Sequence, residues 1–273
     1  KIVLVHCISN LEVGGAQAVL YQLLQRLPEH LFEHKIIYFR EGPYVEMIKT
    51  LGVEMHQVKG ALCPYDPLFL YRFFSLIKLL KPDCLHTMLW AANALGRYVA
   101  WKYALPLVQV LHNNQDQNGF LRACLDKILP QSTGPIVAVS DGVKESAFTH
   151  APWFLKHTIC VIPNGIDVFE LQKKASAEHI TRYELGLDQD QFLIGTVGRF
   201  EPVKNYSFLL TAFAVLYDKY QKERLMLIGQ GSQESFLRQR AYDLGIEKHV
   251  QFVIGKPAYR YYQLFDCFVM TSF

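Results

Sequence analysis

Charge is scarce in this chain and nearly balanced: 19% of residues are Asp, Glu, Lys or Arg, and the net charge is +3. No basic run occurs, so nucleic acid is not an expected partner. No apolar stretch approaches the ~20 residues that a spanning helix needs. The six cysteines (Cys7, Cys63, Cys84, Cys124, Cys160 and Cys267) stand singly, without a Cys-x-x-Cys pair. Several lie in apolar runs, which favours buried free thiols in a reducing compartment over disulfides or zinc. A signal peptide is also missing, because the first residues run directly into a strand pattern. With 51% hydrophobic residues over 273 positions, the chain reads as a cytosolic globular protein with one large or two ordinary domains.

Short apolar runs alternate with helical periodicity along the whole chain. The first series comprises strand patterns at 2–8, 34–39, 53–56, 84–86, 107–111, 136–139 and 158–162. Helical patterns at 16–27, 44–51, 67–80, 91–103, 120–129 and 141–150 separate them. From Pro163 to Gln191 the texture turns polar. A second series follows, with strands at 192–197, 225–228, 250–253 and 267–270 and helices at 206–220, 232–244 and 258–264. This alternation predicts two α/β domains, 1–163 and 164–273, each a parallel sheet covered on both faces. The chain starts at a residue other than Met and stops directly after a strand, which reads as a fragment.

The segment Gly198-Arg199-Phe200-Glu201-Pro202-Val203-Lys204-Asn205 joins a buried strand pattern to a helix. Ligands of open α/β sheets bind at that place. Free N–H groups and the helix dipole favour an anion there, and Arg199 and Lys204 add fixed charge. A diphosphate is the expected partner; the alternative is a solvated pair in a surface turn. The loop with Gly14 and Gly15 is neither a P-loop nor a Gly-x-Gly-x-x-Gly, yet its glycines allow close approach of backbone to a ligand. Asn164-Gly165 suits a sharp turn or hinge. Gly229-Gln230-Gly231 and Ile254-Gly255-Lys256 follow two further strands, where either a ligand or a plain turn fits. His112 sits at a strand end, and an imidazole facing a cleft polarises or binds a hydroxyl; His86 is a weaker candidate of the same kind. The aromatic and aliphatic stretch 65–80, interleaved with Arg72 and Lys78, fits a core helix with snorkelling cations or a surface that rests on a membrane or a greasy acceptor.

In order and spacing these segments resemble the retaining glycosyltransferases of family 4, which have the GT-B fold. The resemblance rests on Gly14-Gly15-Ala16-Gln17, Val139-Ser140, Ile162-Pro163-Asn164-Gly165-Ile166-Asp167 and Gly195-Thr196-Val197-Gly198-Arg199. It continues through Lys204-Asn205, Leu227-Ile228-Gly229-Gln230-Gly231, the run 250–255 and the run 266–272. It implies two Rossmann-like domains, the first for the acceptor and the second for a nucleotide-diphosphate-sugar. Arg199 and Lys204 would grip the diphosphate and stabilise the charge that grows on it as the glycosidic bond breaks. The Gly14-Gly15 loop and Asn164 would contact the donor, His112 the transferred sugar or the acceptor. Gly231 and the backbone of Ile254, Gly255 and Lys256 would line the nucleoside pocket. The resemblance implies no metal and no cofactor beyond the donor, and the sequence is expected to hold no Asp-x-Asp pair of the kind that binds a metal. It also implies a glycan or glycolipid acceptor, with peripheral contact at the cytosolic face of a membrane, and transfer with retention of configuration.

Two departures matter. The family carries two glutamates, eight positions apart, just beyond a segment like Val269–Ser272, whereas this chain ends at Phe273. Gln230 stands where the family commonly has Asp. Two other functions remain open at this point: a non-catalytic binder of nucleotide-sugar, and a GT-B-like sugar-nucleotide epimerase. The epimerase needs a pair of carboxylates for proton transfer, and no convincing pair is found, although Glu12 and Asp116 are unassigned.

Overall fold

The structure is a computed structural model that describes residues 1–60, 66–112, 120–130, 134–150 and 158–272. The chain divides into two compact units, Lys1–Gly165 and Ile166–Phe273.

The first unit runs β1 (Ile2–Asn10), α1 (Gly15–Arg26), β2 (Phe32–Arg40), α2 (Tyr44–Lys49), β3 (Glu54–Gln57), α3 (Pro67–Leu80) and β4 (Cys84–Met88). It continues with α4 (Trp90–Tyr103), β5 (Leu107–Leu111), α5 (Phe120–Ile128), β6 (Ile136–Ala138), α6 (Asp141–His150) and β7 (Ile159–Val161). The strands form one parallel sheet in the order β3-β2-β1-β4-β5-β6-β7. Alternation along the strands fills both faces. Val5, Cys7, Ile37 and Leu85 pack with Phe69, Phe73 and Ile77 of α3 and Val99 and Ala100 of α4. Ile8, Ile36, Tyr38 and Met88 pack with Ala16, Leu20 and Leu24 of α1 and Ile48 of α2. Burial on two faces explains why these strands read as continuous apolar runs.

Helix α3 has one buried and one exposed face. Asp66 caps it by accepting from Leu68 N at 2.9 Å, and Phe69, Phe73, Ile77 and Leu80 are buried. Its other face keeps Leu68, Tyr71 and Leu79 exposed. The thiol expectation holds only in part: Cys7 is buried, and burial pushes its pKa up to about 12, but Cys160 is exposed. Among the described residues no helix is long and apolar enough to cross a membrane.

The second unit runs α7 (Val168–Ala177), β8 (Phe192–Val197), α8 (Tyr206–Tyr220), β9 (Glu223–Ile228), α9 (Glu234–Asp243), β10 (Val250–Val253) and β11 (Cys267–Phe268). Its parallel sheet has the order β10-β9-β8-β11. Ile194, Leu225, Leu227 and Val250 pack with Tyr206, Leu209, Leu210 and Phe213 of α8 and Leu237 of α9. On the opposite face lie Leu193, Met226, Ile228 and Val253, with Tyr261.

Three features differ from the sequence reading. The polar stretch before β8 contains α7, capped by Asp167, whose Oδ1 accepts from Glu170 N at 2.9 Å; only Ala175 of α7 is buried, so apolar periodicity gave no signal. The helix expected over 258–264 is instead two short 3-10 turns, Ala258–Arg260 and Tyr262–Leu264. Finally, one Asp-x-Asp spacing does exist, Asp188-Gln189-Asp190, ahead of β8. Asp190 pairs with Lys222 at 3.1 Å and Asp188 accepts from Gln191 Nε2 at 2.9 Å. These carboxylates lie at the amino end of β8, opposite the edge where ligands of such sheets bind.

Close packing of α4 on the sheet depends on Gly96, where an added Cβ would stand 2.4 Å from Thr87 Cγ2. Helix propensity alone favours Ala there by about 1 kcal/mol, but overpacking a fully buried contact costs about 1–3 kcal/mol. Gly96→Ala is therefore expected to lower the denaturant midpoint, and adding Thr87→Ser, which removes the obstructing methyl, to restore most of it.

Candidate functional site

In the second sheet the strands β8, β9 and β10 succeed one another in one direction, and β11 lies on the far side of β8. The strand order therefore reverses between β8 and β11, and the crevice of an open α/β sheet forms at such a point. The loops leaving β10, β9, β8 and β11 share one sheet edge. They are Ile254–Lys256, Gly229–Ser232, Gly198–Asn205 and Val269–Ser272. Neighbouring strands are about 4.8 Å apart, so the four loops fit within the reach of one nucleotide.

Backbone pairing carries the β8–β9 ladder past the strands. Gly198 N–H donates to Ile228 O at 2.9 Å, Phe200 N–H to Gln230 O at 2.9 Å, and Gln233 N–H to Phe200 O at 2.9 Å. So close an approach leaves no room for side chains. A Cβ on Gly229 would lie 1.9 Å from Gly198 O, and Gly229 has φ +156°, a conformation that favours glycine. A Cβ on Gly231 would lie 2.5 Å from Phe200 O. Phe200 is fully buried, with edge contacts to Tyr206 and Phe252, and anchors the loop from below. On the other side Thr271 Oγ1 donates to Lys204 O at 3.0 Å, tying the exit of β11 to the same loop.

The fixed loop displays the two cations. Arg199 is exposed and Lys204 half-buried, and among the described residues neither makes an ion pair. The Lys204 stem passes beside Gly198, whose Cβ would meet Lys204 Cε at 3.5 Å. Among the described residues no side chain caps α8, and Asn205 enters it with φ 52°. The N–H groups of its first turn and its dipole thus add to the positive potential beside Lys204. Glu201 lies between the cations in sequence, but its carboxylate accepts from Ser232 N–H at 3.1 Å and Ser232 Oγ at 2.8 Å. The Ser232 N–H and hydroxyl, with a smaller contribution from Arg199, hold the Glu201 carboxyl below its ordinary range. Gly255 has φ +66°, Ile254 is half-buried and Lys256 exposed, so this turn offers backbone groups two strands away from Arg199.

In the first unit the strand order reverses between β1 and β4. Gly14 caps α1 in an extended conformation, and Gly15 has no neighbour within 4 Å of an added Cβ. Gln17 organises the loop: its Nε2 donates to Asn10 O at 3.1 Å and to Asn10 Oδ1 at 2.6 Å. Ser140 caps α6 by accepting from Val143 N–H at 3.2 Å, and Asn164 and Gly165 are exposed at the end of this unit. Glu12 is exposed, and Asp116 lies outside the described residues.

His112 stands at the carboxyl end of β5, and burial lowers its pKa to about 4. Its Nε2 is buried with no hydrogen-bond partner among the described residues. It is thus a neutral imidazole at pH 7, able to donate to or accept from a hydroxyl. His86 is different: it belongs to a row in the sheet. His6 Nδ1 lies 2.8 Å from His86 Nδ1, and His6 Nε2 lies 3.0 Å from His34 Nδ1. Burial, and then the charge of His112, lowers the His86 pKa to about 4; burial, then His86 and His34, holds His6 well below its ordinary value. Among the described residues no group of three or more His, Cys, Asp or Glu is placed to hold a metal ion.

Sequence reasoning named the two cations and the glycines but gave no role to Thr271, Ser232 and Glu201, which fix the loop. Only their place at strand ends gave any signal.

Comparison with known proteins follows the same division. Residues 13–169 match Glycosyltransferase Family 4, and residues 178–273 match Glycosyl transferases group 1. The alpha-monoglucosyldiacylglycerol synthase of Acholeplasma laidlawii is 26% identical over 254 residues, which is 86% of this chain and 63% of that protein. A D-inositol 3-phosphate glycosyltransferase of Corynebacterium glutamicum is 23% identical over 253 residues, covering 85% of this chain and 57% of that one. The chain thus spans about three-fifths of the length of these relatives. Among solved structures, Anabaena HepE in complex with UDP and glucose superposes over 100% of this chain and 74% of its own, with a TM-score of 0.78 at 16% identity. At that identity the likeness shows the fold, which is GT-B.

Stability should depend on pH through the histidines. Their folded pKa values are depressed, so the unfolded chain binds more protons in the window between about 4 and 6.5, and stability falls as pH drops through it. Denaturant unfolding at pH 7.5 and pH 5 is expected to show this loss, and His86→Gln to flatten the slope; an unchanged slope in the variant would contradict the assignment.

Proposed function

The chain belongs to glycosyltransferase family 4, and from that premise we propose that it transfers a sugar from a nucleotide-diphosphate-sugar to a hydroxyl acceptor. The observation that carries this reading is the pair Arg199 and Lys204, which make no ion pair among the described residues, on a loop locked to the switch-point edge of the second sheet. The diphosphate lies against these two cations and the first turn of α8. The nucleoside extends along the edge toward Gly231 and the Ile254–Lys256 turn. Solved relatives crystallised with UDP and UDP-glucose support a diphosphate donor of this kind.

The chemistry asked of these residues is electrostatic. As the bond between the anomeric carbon and the diphosphate oxygen breaks, negative charge grows on the leaving group, and the two cations stabilise it more than they stabilise the intact donor. The acceptor oxygen bonds to the same face of the anomeric carbon, and its proton passes to the departing diphosphate oxygen. Configuration is retained and no metal takes part. Gly14 and Gly15 present backbone N–H groups to the donor, Asn164 contributes a polar side chain to it, and His112, neutral at pH 7, hydrogen-bonds the transferred sugar or the acceptor hydroxyl. The acceptor is a glycan or glycolipid. A lipid-linked acceptor suits the exposed Leu68, Tyr71 and Leu79 of α3, which with Lys78 form a surface for peripheral contact with a membrane.

Calorimetric titration with UDP, GDP and ADP tests the reading. One of the three is expected to bind, and the Arg199→Ala, Lys204→Ala double variant to bind it at least about tenfold more weakly, since each charged hydrogen bond contributes about 1.5–3 kcal/mol. Equal affinity in the variant would remove the diphosphate from this loop.

A further inference from the structure

Glu201 lies two residues from Arg199 and three from Lys204. A carboxylate so placed is a ready partner for either cation, and such an ion pair would occupy the groups that a diphosphate needs. That pair is not formed. Both carboxylate oxygens are taken by Ser232, Oε1 by its N–H at 3.1 Å and Oε2 by its hydroxyl at 2.8 Å. A backbone N–H would be available from any residue at this position. The hydroxyl is what fixes the second oxygen, and with it the direction in which the carboxylate points. The charge of Arg199 acts on Glu201. Gln233 N–H, donating to Phe200 O at 2.9 Å, keeps Ser232 against the loop while the carboxylate is held.

We propose that Ser232 is a positioning residue of the diphosphate site: by engaging both oxygens of Glu201 it withholds that carboxylate from Arg199 and Lys204 and keeps the cations open to the donor. The proposal rests on the donor reading given above and adds to it a device that controls cation availability. It makes Glu201 a conditional inhibitor rather than a ligand group. It also removes the Ser232 N–H from those free to meet a nucleotide, leaving contacts on that loop to Gly231 and its neighbours.

The test combines UDP titration with a measurement that needs no nucleotide. Ser232→Ala is expected to weaken UDP about two- to fivefold, the range of an exposed ion pair that must be broken first. Adding Glu201→Gln to Ser232→Ala is expected to return the affinity to that of the unaltered chain or better. A double variant as weak as Ser232→Ala would show that Ser232 only braces the loop, and would overturn the proposal. Separately, solvent exchange of the Arg199 Nε–H, followed by NMR without ligand, is expected to slow in Ser232→Ala and to recover in the double variant. An unchanged rate overturns the proposal whatever UDP does. If the unaltered chain binds no UDP, the UDP-donor reading fails, and the Arg199 exchange rate still decides the role of Ser232.

Discussion

The backbone pairing between the loops that leave β8 and β9 is the constraint on which the rest of the second unit's site depends. Three hydrogen bonds of 2.9 Å lock Gly198–Phe200 to the segment Ile228–Gln233. The lock is possible only because Gly229 and Gly231 carry no side chain where backbone atoms of Gly198 and Phe200 stand. Once it is made, Phe200 drops into the core under α8 and Arg199 is left facing solvent. Thr271 then fixes the far end of the loop at Lys204 and Asn205. Two cations that would be mobile on a free loop are thereby held at a sheet edge, which is the condition for electrostatic stabilisation without reorganisation.

Carboxylates at both ends of the second sheet are engaged by neighbours. Glu201 is bound by Ser232, and Asp266 pairs with Arg182 at 2.6 Å while accepting from Leu193 N–H. In the first unit the histidines follow the opposite logic. His6 stands within hydrogen-bond distance of both His34 and His86, and burial disfavours the charged forms of all three.

The alternation of strands and helices was legible because parallel strands buried on two faces are mostly apolar, as 2–8, 107–111 and 192–197 are. The loop of Arg199 and Lys204 was legible for the same reason, since its place follows from the strand before it and the helix after it. Helix α7 was not, because it buries Ala175 alone and shows no apolar stripe. The two 3-10 turns at 258–264 share apolar residues with a helix and differ only in hydrogen-bond spacing, which composition does not record. Glu201 and Ser232 are 31 residues apart, and nothing local joins them. Their contact exists because β8 and β9 are neighbours. Asp188-Gln189-Asp190 has the spacing of a metal-holding pair and the wrong end of the strand; topology decides between them.

The central claim is that one sheet edge of the second unit receives the diphosphate. Hydrogen exchange of the backbone amides, compared with and without a saturating nucleoside diphosphate, tests it directly. Protection is predicted in 198–207, 229–232, 254–256 and 269–272. Protection centred on the amino ends of the same strands, around 188–191, with none in 198–207, would contradict it.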